Sequence, residues 1–239
     1  MKKIIIFSLL TIILLSNKIV QAQSNYTNKN GVVFTPEEYN FISEMYWDGY
    51  QELMTKQDFK EIKDSDVMNG EIEVKEVKLY DDILTRGTQI IDASRNLKIF
   101  KSCSSNCLIS VTLNWLNNPT VRSYDVIGAY ITNTSFANSP TTMVSSNSSA
   151  TTISDLKKTS NGIGSSFKLP SGSNITINQT FRVNKGGHVY ASYQHAKSTS
   201  TLSKSKNYTF SNLGYGRVFN FNGSSRNIYD AMNGVDISV

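Results

Sequence analysis

Apolar residues recur at every second position through most of this chain, and that period restricts the fold to structures built from β-sheets. The pattern begins after Asp66 and is clearest in residues 108–114. Ile109, Val111 and Leu113 alternate there with hydroxyl and amide side chains. Because successive residues of a strand point to opposite faces, this segment predicts a half-buried strand. Residues 122–132 are apolar in both phases, which predicts a central strand that is covered on both faces.

Further segments with the same period are bounded by turn residues and predict additional strands. In residues 71–80 the apolar phase changes near Lys75 and Glu76, which indicates a β-bulge or two short strands. The turn at residues 184–187 separates two alternating runs and predicts a hairpin. Residues 133–164 are rich in Ser, Thr and Asn and predict a long loop or a weakly paired edge region. The other predicted strands are residues 88–93, 97–100, 175–183, 189–193, 206–212 and 217–222, and residues 227–233 predict one helical turn.

Helical periodicity is confined to the segment between a polar, mobile lead-in at residues 23–30 and Asp66. Thr35 can cap a helix, Pro36 suits its first position, and Glu38 completes a capping box. Apolar residues at spacings of three and four continue to residue 53, so the first helix is expected to reach about that far. Residues 55–58 repeat the cap pattern and predict a second, shorter helix that ends near residue 63.

These patterns together predict a mainly β fold: an antiparallel β-sandwich or open barrel preceded by a short N-terminal helical hairpin. Strands and helices do not alternate along the chain, which disfavours a parallel, doubly wound sheet. The predicted organisation is a signal peptide at residues 1–22, a polar lead-in and helical hairpin at 23–66, and a β-rich domain at 67–239.

The first 22 residues have the three parts of a secretory leader. Lys2 and Lys3 precede an apolar run at residues 4–16, and small residues at Val20 and Ala22 suit a cleavage site. The run of about 13 residues is shorter than the roughly 20 that a spanning helix needs. We therefore expect a secreted, extracellular protein with no stable membrane span after cleavage, the alternative being an uncleaved anchor. Loss of three leader lysines lowers the net charge from +5 to about +2, so we expect no nucleic-acid partner.

The two cysteines, Cys103 and Cys107, predict a disulfide across a tight turn, because an exported chain folds in an oxidising compartment. A metal or redox site is the alternative. The spacing of the cysteines does not match the usual zinc patterns, and the two histidines, His188 and His195, lie far away in sequence. We expect no metal ion and no other cofactor.

Chemistry-bearing motifs are absent from the sequence, which has no nucleophile elbow of the G-x-S-x-G type, phosphate-binding loop or EF-hand loop. Catalysis is therefore not expected. Asp125 stands out because a carboxylate inside a central strand is costly unless it is hydrogen-bonded. Aromatic residues concentrate in the last third of the chain, and exposed tyrosines can stack on sugars or anchor a protein. The predicted ligand-facing residues are Tyr190, Tyr193, Tyr215 and Asp125.

The function predicted from these observations is that of a secreted, non-catalytic binding or interaction protein. It would act at a cell envelope or another extracellular surface, with a protein or a glycan as its ligand. One alternative is a secreted hydrolase that uses two carboxylates in one pocket. The other is a membrane-active β-protein with an insertable hairpin in residues 133–164. Met143, Val144 and Ile153 do not alternate as such a hairpin requires, which favours a solvated loop.

Overall fold

The computed structural model describes residues 24–47, 49–79, 93–147, 149–197, 208–221, 229–230 and 232–239. The predicted leader lies outside the described residues, as do most of the strand predicted at 88–93 and much of the helical turn predicted at 227–233. The helices are α1 (Pro36–Met45) and α2 (Lys56–Asp64), with 3₁₀ turns at Tyr50–Glu52 and Val67–Asn69. The strands are β1 (Tyr26–Thr27), β2 (Val33–Phe34), β3 (Glu71–Leu79), β4 (Arg95–Cys103), β5 (Cys107–Trp115), β6 (Tyr124–Thr132), β7 (Thr141–Ser146), β8 (Ser149–Ile153), β9 (Leu156–Lys158), β10 (Gly162–Lys168), β11 (Thr176–Val183), β12 (His188–Gln194), β13 (Tyr208–Phe210), β14 (Phe219–Phe221) and β15 (Val235–Ser238).

Two antiparallel sheets pack face to face and form the body of the molecule, so the prediction of a mainly β, antiparallel sandwich is confirmed. One sheet has six strands in the order β3-β4-β5-β11-β7-β8, and the other has five in the order β15-β12-β6-β10-β9. Their facing sides bury a continuous core that includes Ile99, Val111, Ile127, Phe181 and Val189. The strand predicted to be central, β6, lies in the middle of the five-stranded sheet.

The helical segment forms a layer over the outer face of the six-stranded sheet. Both predicted capping boxes are present, at Thr35 for α1 and at Thr55 for α2. The layer is bound to the sheet by apolar contacts such as that between Phe41 and Phe100, whose ring centroids are 5.5 Å apart. Because these helices cover β5, that strand is buried on both faces, and the prediction of a half-buried strand is wrong.

The predicted extent of α1 and the predicted mobility of the lead-in also need correction. Helix α1 ends at Met45, because the backbone leaves the helical conformation at Tyr46 (φ -104°, ψ -95°). Gly49, in a left-handed conformation (φ 94°), then precedes a separate 3₁₀ turn. The lead-in is anchored by Asn28, whose buried side-chain amide donates to the carbonyl oxygens of Gln51 and Met54.

A small hairpin of β13 and β14 covers the outer face of the five-stranded sheet and forms a fourth layer. Both strands lie within segments predicted as strands, residues 206–212 and 217–222, and the two pair antiparallel. Phe210 packs directly over Gly162, where any side chain would clash with the ring. The hairpin buries a second aromatic cluster that includes Tyr208, Phe219 and Tyr229.

The hairpin predicted around residues 184–187 is wrong, because its two strands belong to different sheets. Strand β11 pairs with β5 and β7, whereas β12 pairs with β6 and β15. Gly186 and Gly187 have positive φ angles (91° and 131°) and carry the chain from one sheet to the other. The turn residues indicated a reversal of direction, but they did not determine which strands would pair.

Two further predictions about strands are corrected by the sheet register. β3 pairs with β4 without a bulge from Glu71 to Leu79. Its phase change arises because Ile72 and Val74 lie at the sheet edge and remain 45% and 44% exposed. Residues 133–164 are not a long loop, since they contain β7, β8 and β9. They do include one edge strand of each sheet, because β8 and β9 are the last strands of their sheets.

Candidate functional site

A cleft of about 530 Å³ opens between α2 and the outer face of the six-stranded sheet. Ligand pockets in proteins usually enclose about 300–1,000 Å³, so the cleft is large enough for a small organic ligand or a short peptide. Its walls come from the helical segment and from strands of the six-stranded sheet with their connections. The lining residues are Met45, Tyr46, Tyr50, Asp58, Glu61, Ile62, Asp64, Ser65, Leu108, Asn138, Thr141, Met143, Thr152, Thr180 and Arg182.

One wall of the cleft is α2, whose orientation is fixed by its apolar side. Phe59 packs against the ring of Phe34 with a centroid distance of 4.8 Å, and Ile62 is buried in the same cluster. Residues three and four positions apart share a helix face, so this packing fixes which side chains border the cleft. They are the carboxylates Asp58, Glu61 and Asp64.

The lining includes two stacked tyrosines, Tyr46 and Tyr50. Their ring centroids are 4.1 Å apart at an interplanar angle of 28°, and both side chains are more than nine-tenths buried. Burial raises the pKa of each phenol well above its ordinary value, so both hydroxyls stay protonated at neutral pH. The Thr112 hydroxyl donates to the carbonyl oxygen of Tyr46 over 3.0 Å and holds this segment against the sheet. The tyrosines therefore offer a fixed aromatic surface.

The opposite wall carries a half-buried arginine among hydroxyl side chains. Arg182 lies on β11 beside Leu108, and its guanidinium donates to the side-chain oxygen of Asn106 over 3.0 Å. Partial desolvation lowers the pKa of Arg182, which nevertheless remains charged at neutral pH. Among the described residues, no carboxylate lies within ion-pair distance of this guanidinium.

The carboxylates that line the cleft all come from α2, and each has a partner on that helix or at its cap. Asp64 pairs with Lys60 at 2.6 Å, Glu61 accepts from Gln57 at 2.9 Å, and Asp58 accepts from the amide of the N-cap residue Thr55 at 3.1 Å. A glycosidase needs an acid and a second carboxylate on opposite sides of the scissile bond. The wall that faces α2 contributes hydroxyls and Arg182 but no carboxylate to the lining. The arrangement is therefore suited to binding charged and polar groups.

Two of the predicted ligand-facing residues, Asp125 and Tyr193, are fully buried, so for them the prediction is wrong. The Tyr193 hydroxyl donates to Asp125, which also interacts with His195 Nδ1 at 2.9 Å and accepts from the Ala196 amide at 2.9 Å. Burial, followed by the Asp125 charge, raises the pKa of Tyr193 well above its usual value. These bonds explain how the central strand tolerates a carboxylate. His195 is buried with them.

An ion pair beside this cluster extends the buried polar network, and the sequence analysis missed it. Arg95 is fully buried, pairs with Asp230, and lies 5.0 Å from the centroid of the Trp115 ring. The Asp230 amide in turn donates to the carbonyl oxygen of His195 over 2.9 Å. The sequence contained one indication of this burial. Arg95 shares its face of β4 with Leu97 and Ile99, because alternate residues of a strand point the same way. The network joins β4 to the segments that follow β12 and precede β15.

The remaining predicted site residues lie apart from the cleft, except at one point. Tyr190 is half-buried near Tyr130, and Tyr215 is 78% exposed at the turn between β13 and β14. Cys103 and Cys107 form the predicted disulfide at the β4–β5 turn. That turn contains Asn106, the hydrogen-bond partner of Arg182, so the disulfide turn is connected to the cleft through this residue. The lining residues were missed because their proximity depends on how the helical layer packs on the sheet.

Within the described ranges, no three His, Cys, Asp or Glu side chains are grouped so that they could bind a metal ion. No described helix is both long enough and apolar enough to cross a bilayer.

Comparisons with solved structures found proteins that resemble part of this chain. No protein-family model and no curated protein sequence matches the chain. The collagen-binding domain of the surface protein RspB from Erysipelothrix rhusiopathiae is 9% identical with a TM-score of 0.32, covering 57% of this chain and 53% of that chain. The pilus backbone RrgB from Streptococcus pneumoniae is 11% identical with a TM-score of 0.28, covering 70% and 47%. This chain thus aligns with about half the length of each.

Proposed function

We propose that this chain is a secreted, non-catalytic binding protein that acts at a cell envelope or another extracellular surface, with the cleft as its binding site. The observation that carries the proposal is the composition of the cleft, which combines a fixed aromatic surface, a row of hydroxyls and two charged walls. Export is supported by the leader pattern and by the disulfide, since such bonds persist in oxidising compartments. A protein or a glycan is the expected ligand.

The two alternative functions have less support from the described residues. A carboxylate-dependent hydrolase requires acids on both sides of its substrate, and those of the cleft come from one helix. A membrane-active protein requires a hairpin that can leave the fold. The hairpin of β7 and β8 is instead part of the six-stranded sheet, where β7 pairs with β11.

The test is a binding array of glycans and extracellular proteins, probed with residues 23–239 at micromolar concentration. In the variant Thr152→Trp, a large side chain on β8 fills the cleft. The matched control is Thr151→Trp, at the adjacent exposed position on the opposite face of the same strand. We expect the wild type and the control to bind the same array features, and Thr152→Trp to bind them at least about tenfold more weakly.

Absence of binding by the wild type, or equal binding by Thr152→Trp, would contradict the proposal. Cleavage of an arrayed glycan would contradict it as well and would favour the hydrolase. Circular dichroism of the three proteins checks that the variants retain the fold.

A further inference from the structure

The two walls of the cleft carry charges of opposite sign. Three carboxylates stand on the α2 side, and the Arg182 guanidinium stands on the β11 side. Opposite charges across a water-accessible gap attract a ligand that is itself dipolar, because each of its ends then meets a complementary group. The side chains on each wall determine which ligand group can bind there.

The Arg182 wall is suited to a carboxylate. A guanidinium has five N–H donors in a planar fork that matches the two oxygens of a carboxylate. The side-chain oxygen of Asn106 accepts from Nη1 of Arg182 and so orients the guanidinium group. Asn106 is itself held in the short turn closed by the disulfide between Cys103 and Cys107, where its carbonyl oxygen also accepts from the Ser104 amide at 3.0 Å. The fork is therefore oriented before a ligand arrives.

The α2 wall is suited to a primary ammonium group. Glu61 and Asp64 are exposed, and their present partners, Gln57 and Lys60, lie on the same helix and are exposed as well. Exposed contacts of this kind contribute little stability, so the ammonium group of a ligand can replace them. A compact ammonium has three donors, enough to bridge neighbouring carboxylates.

The space between the walls is suited to a hydrocarbon stem and peptide groups. The accessible edges of Ile62 and Leu108 supply apolar surface, and those of the stacked pair Tyr46 and Tyr50 supply aromatic surface. Thr141, Thr152 and Thr180 supply hydroxyls that both donate and accept hydrogen bonds. A volume of about 530 Å³ exceeds what a single ion or a single amino acid fills.

We propose that the cleft binds a short zwitterionic peptide, with its free α-carboxylate on Arg182 and a primary amine on Glu61 and Asp64. This inference rests on the proposed function and specifies its ligand class. The peptide backbone lies between the walls and bonds to the threonine hydroxyls, and the stem of the amine-bearing residue packs on the tyrosines.

The test uses isothermal titration calorimetry with the peptide alanyl-alanyl-lysine and two blocked forms of it. One form has a C-terminal amide, and the other is acetylated on both amines. We expect the free peptide to bind the wild type, and each blocked form to bind at least about tenfold more weakly. Arg182→Gln should abolish the difference between acid and amide, and Arg182→Lys should partly restore it. The double variant Glu61→Gln with Asp64→Asn should bind the free and the acetylated peptide with equal affinity.

The control variant is Asp236→Asn, an exposed acid on β15 in the other sheet, which should bind all three peptides as the wild type does. Equal binding of the free and blocked peptides, or unchanged preferences in the Arg182 variants, would overturn the inference. Array binding that is lost in Thr152→Trp but shows no preference for zwitterionic peptides would leave the proposed function standing and remove this inference alone.

Discussion

At the scale of single residues, the unusual feature is a set of buried charges in the core of a sandwich. Arg95 with Asp230, and Asp125 with His195, lie where apolar side chains would normally meet. Burying a charge is tolerated when a partner and hydrogen bonds replace its water. Here the partners come from segments distant in sequence, so the network fixes how the chain after β12 and before β15 returns to the core.

Removal of one member of the ion pair between Arg95 and Asp230 should therefore lower the free energy of unfolding more than removal of both. Arg95→Met leaves the Asp230 carboxylate buried without its counterion, and we expect the free energy of unfolding to fall by about 3–5 kcal/mol. The double variant with Asp230→Asn should recover much of that loss. Urea unfolding of the three proteins measures the difference, and equal losses in the single and double variants would contradict this account.

Buried phenols predict a loss of stability at alkaline pH. Burial raises the pKa of Tyr208 to about 12, above the 10.0 of a free phenol, and that of Tyr193 also rises. A raised folded-state pKa gives stability that is complete below the unfolded value and is lost as pH rises through the folded one. We expect stability to decline from about pH 10 upward, with these phenols ionising only as the sheets unfold.

A joint titration of tyrosinate absorbance and circular dichroism measures this coupling. The expected result is a late absorbance step that coincides with loss of the β-sheet signal. If all tyrosines ionised near their ordinary pKa of about 10 while the dichroism stayed unchanged, the burial described for Tyr193 and Tyr208 would be contradicted.

At the scale of elements, α2 and the disulfide turn are the parts that shape the cleft. The capping box at Thr55 fixes the first turn of α2, and the turn between Cys103 and Cys107 presents Asn106 to Arg182. Both features are local in sequence, and both were predicted. Their contribution to the site follows only from the packing of the helical layer on the sheet.

The two helix caps should have equal effects on stability and unequal effects on binding. Thr35→Ala and Thr55→Ala should each lower the free energy of unfolding by about 1 kcal/mol, because each removes one capping box. Only Thr55→Ala loosens the turn that carries Asp58, so it alone should weaken binding of alanyl-alanyl-lysine. Urea unfolding and calorimetry test the pair, and equal binding by both variants would count against the role of α2.

Replacement of both cysteines by serine should have a modest effect on stability. The closed loop is very short, so the loss should not exceed about 2 kcal/mol on the chain-entropy account. Affinity for the free peptide should nevertheless fall, because Asn106 no longer orients the guanidinium of Arg182. Calorimetry on the double variant measures this effect, and unchanged affinity would show that Asn106 is held without the disulfide.

At the scale of the whole molecule, the sequence predicted what depends on local pattern and missed what depends on layer packing. The caps at Thr35 and Thr55 and the central position of β6 follow from residue order alone. The separation of β11 and β12 into two sheets does not, since the same glycine turn serves a hairpin or a crossing. The site was missed for the same reason: α2 and Arg182 are distant in sequence and meet only because helices cover the sheet.

The most direct test of the central claim is an NMR titration of isotope-labelled residues 23–239 with alanyl-alanyl-lysine. The account predicts amide shift changes concentrated in α2 and in the parts of β7, β8 and β11 that border the cleft, with the β13–β14 hairpin unchanged. Shifts centred on Tyr215, or none at millimolar peptide, would contradict it.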